Sequence, residues 1–334
     1  MSPKVSVLLP AYNAALTLAA ALRSVQRQTE SSWECIVFDD GSTDATLQIA
    51  RAAAQADARI RVLARPHGGI VSALEAGLSE CRAPLVARMD ADDLMVRQRL
   101  QLQLAALDAA PQLCAVGSHV RLFPRAALRE GRLAYERWLC AIRTPEDVRR
   151  EAFVECPIAH PTLLIRRAIL AQFGYRERGW PEDYDLVLRL LEAGQQLAVV
   201  PERLLHWRDG EGRLSRTAAQ YAIAAFVRCK AEFLARSFLA HGDRYLLWGY
   251  GDTGKALAEA LAQCGKHPAA ILELHPRRIG QLIRGVRVVS PDALPGLPRL
   301  PLIISVAGAT PRAQIRSALA GFGFIETRDY VCAA

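Results

Sequence analysis

Short apolar runs alternate with amphipathic segments along the first third of the chain. Four of the runs have the length and the polar flanks of buried strands, and they are residues 5–9, 35–38, 60–63 and 84–87. Composition and apolar spacing predict helices between them, at residues 16–26, 45–54 and 70–80. A strand, a loop and a helix repeated at a spacing of about 25 residues predict βαβ units and a parallel sheet.

Three loops that follow these strands are expected to meet in one crevice, because ligands bind beyond the carboxyl ends of the strands in parallel sheets. The loops are residues 10–13, 39–44 and 90–93. Tyr12 could stack on a base and Asp40 could accept a hydrogen bond from one, while Gly69 lets the backbone approach a ligand closely. The alternative for the second loop is an Asx turn that caps the next helix.

The third loop carries three carboxylates, Asp90, Asp92 and Asp93, directly after a buried strand. Buried carboxylates without partners are costly, so a cation is expected to neutralise them. Oxygen ligands on a loop suit a hard divalent ion such as Mg²⁺ or Mn²⁺. The alternative is an acidic turn that caps a helix over residues 94–107.

A second acidic stretch begins a predicted helix at Pro181, Glu182 and Asp183, since Pro in the first turn and acids behind it mark a helix start. Helical spacing places Glu182 with Asp185 and Arg189 on a stripe that we expect to face solvent. Asp183 lies above an apolar stripe, where a carboxylate is either an internal cap or a catalytic group. The helix N-terminus favours its ionised form, as a general base requires.

Four segments in this order resemble the family 2 inverting glycosyltransferases: VSVLLPAYNA, IVFDDGSTD, GGIVSALEAG and ARMDADD. The resemblance covers about residues 3 to 216. It implies a GT-A fold, an α/β nucleotide-diphospho-sugar transferase fold whose mostly parallel sheet is flanked by helices. It also implies that Pro10, Tyr12 and Asp40 line the nucleoside pocket. The segment DAD is similar to the DxD signature of the family, with Asp92 as the direct metal ligand and Asp90 facing the sugar or nucleotide.

The same resemblance implies roles for residues further along the chain. WPEDYDLVLRL resembles the ED motif of the family, whose second acid, here Asp183 beside Glu182, is the general base. CPIAHPT is similar to the floor of the acceptor site, where His160 would contact sugar or phosphate; a structural histidine held by the neighbouring proline is the alternative. Arg208 is expected to bind phosphate from a mobile lid, with a solvated surface arginine as the alternative.

The implied activity is transfer of a sugar from a nucleoside-diphosphate sugar, with a UDP-sugar favoured, to a saccharide or lipid-linked acceptor in surface polysaccharide or glycolipid synthesis. Mn²⁺ or Mg²⁺ would assist departure of the diphosphate, and Asp183 would deprotonate the acceptor hydroxyl in one inverting displacement. No nucleic acid partner is expected. Arg97 stands where relatives often carry proline, which affects the entry into the next helix and not the acids.

Length and composition set limits for the whole chain. Its 334 residues, 51% of them hydrophobic and 23% charged, are typical of a globular protein with two domains. We expect domains at residues 1–216 and 242–334, with a linker helix at 217–241. The net charge of +8 favours anionic ligands or an anionic membrane surface.

Two further absences in the sequence bear on location and chemistry. No apolar stretch reaches the roughly 20 residues of a spanning helix and no signal-peptide pattern is present. A cytoplasmic location is therefore expected, with peripheral contact to the inner face of the membrane as a further option. The eight cysteines form no CxxC pair, so neither a zinc site nor a disulfide framework is indicated.

The last third of the chain carries a second motif. Gly249, Gly251 and Gly254 follow an apolar strand and precede a helix, and Glu273 ends the next strand, so this region resembles a Rossmann-like module that could bind a nucleotide. Close packing of the helix on the sheet is the alternative role of the glycines. The competing functions are an oxidoreductase or nucleotide sensor centred on these glycines, and an inactive module that only binds a sugar nucleotide.

Overall fold

The chain forms two compact units. The computed structural model describes residues 2–210, 213 and 218–334. The first unit extends to residue 213 but omits residues 149–156 and 179–181. Those two short segments belong to the second unit, together with the chain from residue 218 onward. The boundary predicted at residue 216 lies outside the described residues, and the sequence did not predict the two short segments of the second unit.

The first unit is built on an eight-stranded sheet. The strands are β1 (Val5–Ala11), β2 (Trp33–Asp39), β3 (Ile60–Ala64), β4 (Leu85–Arg88), β5 (Leu94–Met95), β6 (Leu113–Phe123), β7 (Leu164–Arg166) and β8 (Gln196–Arg208). Their order is β3-β2-β1-β4-β7-β6-β8-β5. Only the pairings of β4 with β7, β7 with β6 and β8 with β5 are antiparallel, so the sheet is mostly parallel, as predicted.

The direction of the strands gathers the predicted site residues at one edge. β1, β2 and β4 run in the same direction. β7 is antiparallel to both β4 and β6, so β6 runs in the same direction as β4, and β8 is parallel to β6. Tyr12, Asp40 and Asp90 follow β1, β2 and β4, and Arg208 ends β8. All four residues therefore lie where parallel strands end.

Helices flank this sheet. The helices along this part of the chain are α1 (Leu18–Gln26), α2 (Thr46–Ala56), α3 (Ile70–Ser79), α4 (Arg99–Ala109), α5 (Glu130–Leu139), α6 (Pro145–Glu151), whose residues from 149 onward belong to the second unit, α7 (Arg167–Phe173) and α8 (Glu182–Glu192). There are 3-10 turns at Arg125–Ala127 and His160–Thr162. β1 and β2 are buried along their whole length, and α3 packs on both. The apolar face of α3 carries Ala73, Leu74 and Leu78 into that core.

The helix predicted over residues 94–107 begins later than expected. Leu94 and Met95 form β5, which pairs with the end of β8 at His206 and Leu205. α4 starts only at Arg99. Because residues 94 and 95 lie in a strand, the acids at 90–93 do not cap a helix, and that alternative is wrong.

The second unit contains a six-stranded sheet. Its strands are β9 (Arg244–Trp248), β10 (His267–Leu272), β11 (Leu282–Ile283), β12 (Val286–Val289), β13 (Leu302–Ile304) and β14 (Tyr330–Cys332). They lie in the order β11-β12-β10-β9-β13-β14, and every neighbouring pair except β11 with β12 is parallel. Its helices are α9 (Ile223–Arg236), α10 (Asp252–Gln263) and α11 (Ala309–Gly321), with 3-10 turns at Ala219–Tyr221 and Pro291–Gly296.

The segment predicted as a linker helix is part of the second unit. α9 places Val227, Ala231 and Leu234 in a core shared with Leu257 of α10 and Ile303 of β13. Lys230 of the same helix is buried and donates to main-chain carbonyl oxygens of the same unit. Among the described residues, no helix is both long enough and apolar enough to cross a bilayer.

Candidate active site

Three acids at the end of β4 form a compact group. Asp90, Asp92 and Asp93 each offer a carboxylate oxygen, and these oxygens lie within 4.8 Å of one another. Asp93 is completely buried, whereas Asp90 and Asp92 are half-buried. The cluster that the sequence predicted is therefore formed by the fold.

The electrostatics of this cluster favour a cation. Burial, and then the charge of Asp90, raise the pKa of Asp92 to about 6. The same causes, with the charge of Asp92 added, raise the pKa of Asp93 well above its ordinary value. The Oδ2 atom of Asp93 is buried and has no hydrogen-bond partner among the residues that the structure describes. Close carboxylates with an unsatisfied buried oxygen are the donor set that suits a hard divalent ion, so the residues present fit a metal.

Two buried arginines, Arg88 and Arg99, bind the acidic loop and the residue that precedes it. Arg88 is 5% exposed and forms an ion pair with Asp90. Arg99 is fully buried and donates from Nη2 to the carbonyl oxygen of Arg88 at 2.9 Å and from Nε to Oε1 of Gln103 at 3.0 Å. Sequence reasoning assigned no role to either. The available signal was an arginine at the end of an otherwise apolar buried run.

Arg208 lies at the end of a strand. Its main-chain N–H donates to Oδ1 of Asp93 at 2.7 Å, and its Nε donates to the carbonyl oxygen of Asp92 at 2.8 Å. Its guanidinium also lies 4.5 Å from the ring centre of Phe123. Arg208 is therefore half-buried against the acidic loop and is not a solvated surface residue. Most of the predicted lid beyond residue 210 lies outside the described residues.

The nucleoside side of the predicted crevice contains a stacked pair. Tyr12 is 48% exposed and stacks on His67 with ring centres 4.1 Å apart. Asp40 is buried and accepts hydrogen bonds from the main-chain N–H groups of Gly68 at 2.9 Å and Gly69 at 3.0 Å. Nδ1 of His67 lies 2.8 Å from Oδ2 of Asp40. The carboxylate of Asp40 thus holds the loop between β3 and α3 beside the exposed face of Tyr12.

The turn and helix cap predicted as the alternative for the 39–44 loop are formed by Asp39 and Asp44. Oδ2 of Asp39 accepts from the N–H of Ser42, three residues further on, at 3.3 Å. Oδ1 of Asp44 accepts from the N–H of Thr46 at 2.9 Å, as in an Asx turn, where α2 begins. The turn and the start of α2 are therefore stabilised without Asp40.

Pro10 is buried within β1 opposite Phe38.

The second acidic cluster lies at the start of α8. Asp183 is half-buried, while Glu182, Asp185 and Arg189 are all buried. The prediction of a solvated stripe is therefore wrong. Arg189 explains the burial, because it pairs with Asp185 at 2.6 Å and donates to the carbonyl oxygens of residues 173 and 174 at 2.7 Å each.

His160 and Tyr175 form a buried pair close to Glu182. Nε2 of His160 lies 2.9 Å from the hydroxyl of Tyr175, and Nδ1 lies 3.9 Å from Oε1 of Glu182. Burial, and then the charge of Arg88, lower the pKa of His160 well below its ordinary value, so the ring is neutral. Burial raises the pKa of Tyr175, with Glu182 and Asp183 adding to the rise and Arg88 opposing it.

Arg88 beside Asp90 therefore acts on the same buried ring pair as the acids of α8.

Comparison with known proteins places this site in context. Residues 6–174 match the family model described as glycosyl transferase family 2. EpsE from Bacillus subtilis (strain 168) is 30% identical over 227 residues, which cover 66% of this chain and 78% of EpsE. The matched residues include Tyr12, Asp40 and the three acids after β4.

Two solved structures share the fold. S. aureus TarS 1-349 in complex with UDP-GlcNAc has a TM-score of 0.57 and 20% identity, covering 77% of this chain and 71% of that one. The mannosyltransferase PcManGT from Pyrobaculum calidifontis, in complex with GDP-Man and Mn2+, has a TM-score of 0.52 and 17% identity, covering 98% of this chain and 82% of that one. The predicted GT-A fold of the first unit is confirmed.

Proposed function

Because the chain belongs to glycosyltransferase family 2, we propose that it moves a sugar from a nucleoside-diphosphate sugar to an acceptor hydroxyl, with a divalent metal and with inversion at the anomeric carbon. One observation carries this proposal. An exposed aromatic ring, Tyr12, and a group of close carboxylates, Asp90, Asp92 and Asp93, follow two neighbouring parallel strands of one sheet, β1 and β4.

The donor is bound along this edge. The base stacks on Tyr12, which is exposed, and Asp40 orders the backbone of Gly68 and Gly69 beside it. A UDP-sugar is the donor we favour, as in the complex of TarS with UDP-GlcNAc; PcManGT shares the fold and is in complex with GDP-Man, so the donor screen described below includes both bases. Arg208 lies against the acidic loop and supplies positive charge toward the diphosphate.

Asp92 and Asp90 would hold Mn²⁺ or Mg²⁺, with the buried carboxylate of Asp93 behind them. When bound, the ion neutralises charge on the leaving diphosphate. Arg88 and Arg99 keep the loop in place by bonding its acid and its backbone. Burial, and then the charge of Asp90, disfavour the ionised form of Asp92 and raise its pKa, and a bound cation would offset both effects.

Asp183 is the general base in this proposal. It lies half-buried at the start of α8, where the helix N-terminus favours the carboxylate. It takes the proton of the acceptor hydroxyl, whose oxygen attacks the anomeric carbon from the face opposite the diphosphate. We assign His160 and Glu182 to positioning, because both are more than nine-tenths buried and close to each other.

The acceptor in this proposal is a hydroxyl of a saccharide, free or lipid-linked, as in the synthesis of surface polysaccharides and glycolipids. No nucleic acid takes part. A lipid-linked acceptor would bring the chain to an anionic membrane face, and the net charge of +8 is suited to such a surface.

The test is a screen of UDP-, GDP- and dTDP-sugars for hydrolysis and transfer with Mn²⁺ or Mg²⁺. We expect Asp92→Ala to lose metal-dependent nucleotide binding, because a first ligand is removed. EDTA should abolish turnover of the natural chain, and added Mn²⁺ should restore it. Nucleotide binding is measured by calorimetry and turnover by release of the nucleoside diphosphate.

A second variant tests the base. Asp183→Asn keeps the shape of the side chain but cannot accept the proton, so we expect normal donor binding and a loss of transfer of about 100-fold or more. Asp108→Asn, an exposed acid of α4, is the matched control and should leave both unchanged. Full transfer by Asp183→Asn would show that the base is assigned incorrectly. An absence of turnover with every donor would favour a module that only binds nucleotide sugars.

A further inference from the structure

The second unit has a sheet whose strand order is informative. Its parallel strands lie in the order β12-β10-β9-β13-β14, which is third, second, first, fourth and fifth along the chain. This is the order of the parallel sheets that bind dinucleotides, in which the ligand lies outside the carboxyl ends of the strands where the order reverses. Here that point is between β9 and β13.

The three glycines after β9 differ in what they do. Gly249 has a φ of +93°, and a Cβ there would lie 2.6 Å from Val306. A Cβ on Gly254 would lie 2.4 Å from the carbonyl oxygen of Gly249 and 2.5 Å from Oγ of Ser305. Packing therefore requires both. Gly251 is exposed, and a Cβ there would meet no atom within 4 Å. Packing does not explain Gly251, whereas the close approach of a ligand would.

A charged cavity of about 560 Å³ lies beyond the end of β10. It is lined by Glu273, His275, Arg277, Arg278 and Gln281. Nη1 of Arg278 donates to the carbonyl oxygen of Tyr250 at 2.9 Å, so the cavity adjoins the glycine loop. The same nitrogen lies 3.3 Å from Oε2 of Glu273, which directly follows β10.

The chemistry of these groups is that of a nucleotide site. In such sheets a carboxylate after the second strand accepts hydrogen bonds from ribose hydroxyls, or a nearby arginine accommodates a phosphate on the ribose, while the diphosphate lies at the helix N-terminus beside the glycine loop. Glu273 shares its charge with Arg278, which leaves Arg277 as the exposed cation of the cavity. The lining therefore presents an acceptor for a sugar hydroxyl and donors for a phosphate within one cavity.

We propose that the second unit binds a ribonucleotide that carries a diphosphate, with the ribose at Glu273, the diphosphate beside Gly251 at the start of α10, and Arg277 supplying positive charge beside the ribose. This site is separate from the donor site of the first unit. The shared chemistry occurs in nicotinamide dinucleotides and in nucleotide sugars. The proposal concerns binding and includes no redox step.

The experiment uses the full chain carrying Asp92→Ala, with EDTA present, so that metal-dependent binding at the first unit is suppressed. NADH, NADPH and UDP-GlcNAc are titrated separately by calorimetry. Gly251→Val is then added, because the open space around Gly251 accepts a side chain without strain. Gly321→Val is the matched control, since Gly321 is also an exposed glycine of the second unit with open space around it.

We expect saturable binding of at least one nucleotide, weakened tenfold or more by Gly251→Val and less than twofold by Gly321→Val. Arg277→Glu, a change at an exposed position, should also weaken binding at least fivefold. The nucleotide whose binding is weakened by these variants shows whether the ligand is a nicotinamide dinucleotide or a nucleotide sugar. Absence of saturable binding with all three, or binding that neither variant changes, would overturn the proposal. Neither result depends on whether the first unit transfers sugar.

Discussion

At the scale of single residues, Asp185 and Arg189 show where helical spacing misleads. Their positions on α8 form a polar stripe, and an amphipathic helix normally turns such a stripe to solvent. The fold buries them because two main-chain carbonyl oxygens at the end of α7 accept from Arg189. That partner is distant in the sequence, so spacing within the helix could not indicate it. The acids at 90–93 were predictable because their signal, a polar cluster after a buried run, is local.

We expect Asp185→Ala to lower the free energy of unfolding by about 3 kcal/mol, because it leaves a buried arginine without its charged partner. Lys4→Ala breaks the exposed pair of Lys4 with Glu30 and should cost less than about 1 kcal/mol. Urea unfolding followed by tryptophan fluorescence measures both variants. Equal losses would contradict the structural role of the buried pair.

At the scale of elements, the order of strands and helices in the first half followed from the sequence, whereas β5 and the later start of α4 did not. β5 exists because β8 offers an antiparallel partner at His206 and Leu205, about 110 residues away in the chain. The apolar run at residues 94–96 is short and suits a helix equally well. Conversely, the start of α3 was predictable, because Gly69 precedes an apolar periodic segment.

The close packing of α3 on β1 at Gly77 predicts how substitution of this glycine changes stability. A Cβ on Gly77 would lie 2.4 Å from Cδ1 of Leu8, which is fully buried in β1. We expect Gly77→Ala to destabilise the chain by about 1–3 kcal/mol through overpacking. Gly131→Ala in α5, where a Cβ meets nothing, should stabilise it by up to about 1 kcal/mol. Thermal unfolding of both variants tests this, and a stabilised Gly77→Ala would refute the close contact.

At the scale of the whole molecule, the sequence predicted two domains, and the chain path between them is more complex than predicted. Composition shows no break around residues 149–156, although these residues belong to the second unit. The reason is long-range: Oε1 of Glu151 lies 2.9 Å from Nη2 of Arg316, and the carbonyl oxygen of Val154 accepts from Lys230 at 2.8 Å. Contacts between segments so far apart leave no trace in a local pattern.

We expect Glu151→Gln to lower the stability of the second unit by about 1–2 kcal/mol, because a buried charged hydrogen bond is weakened while Glu326 still holds Arg316. Glu202→Gln, at an exposed position of β8, is the control and should change stability by less than about 0.5 kcal/mol. Urea unfolding monitored by circular dichroism compares them. Identical midpoints would contradict the inclusion of residues 149–156 in the second unit.

The double attachment of Arg208 to the acidic loop has a thermodynamic consequence. Two hydrogen bonds from Arg208 join the end of β8 to Asp92 and Asp93 of the acidic loop. A conformation of the loop that is favoured by a bound ion therefore favours the ordered end of β8. Thermodynamic linkage requires the reverse effect to have the same size. Occupation of the acids by an ion should slow hydrogen exchange at the amide of Arg208. By the same reciprocity, a substitution that frays the end of β8 should lower the affinity of the acids for that ion.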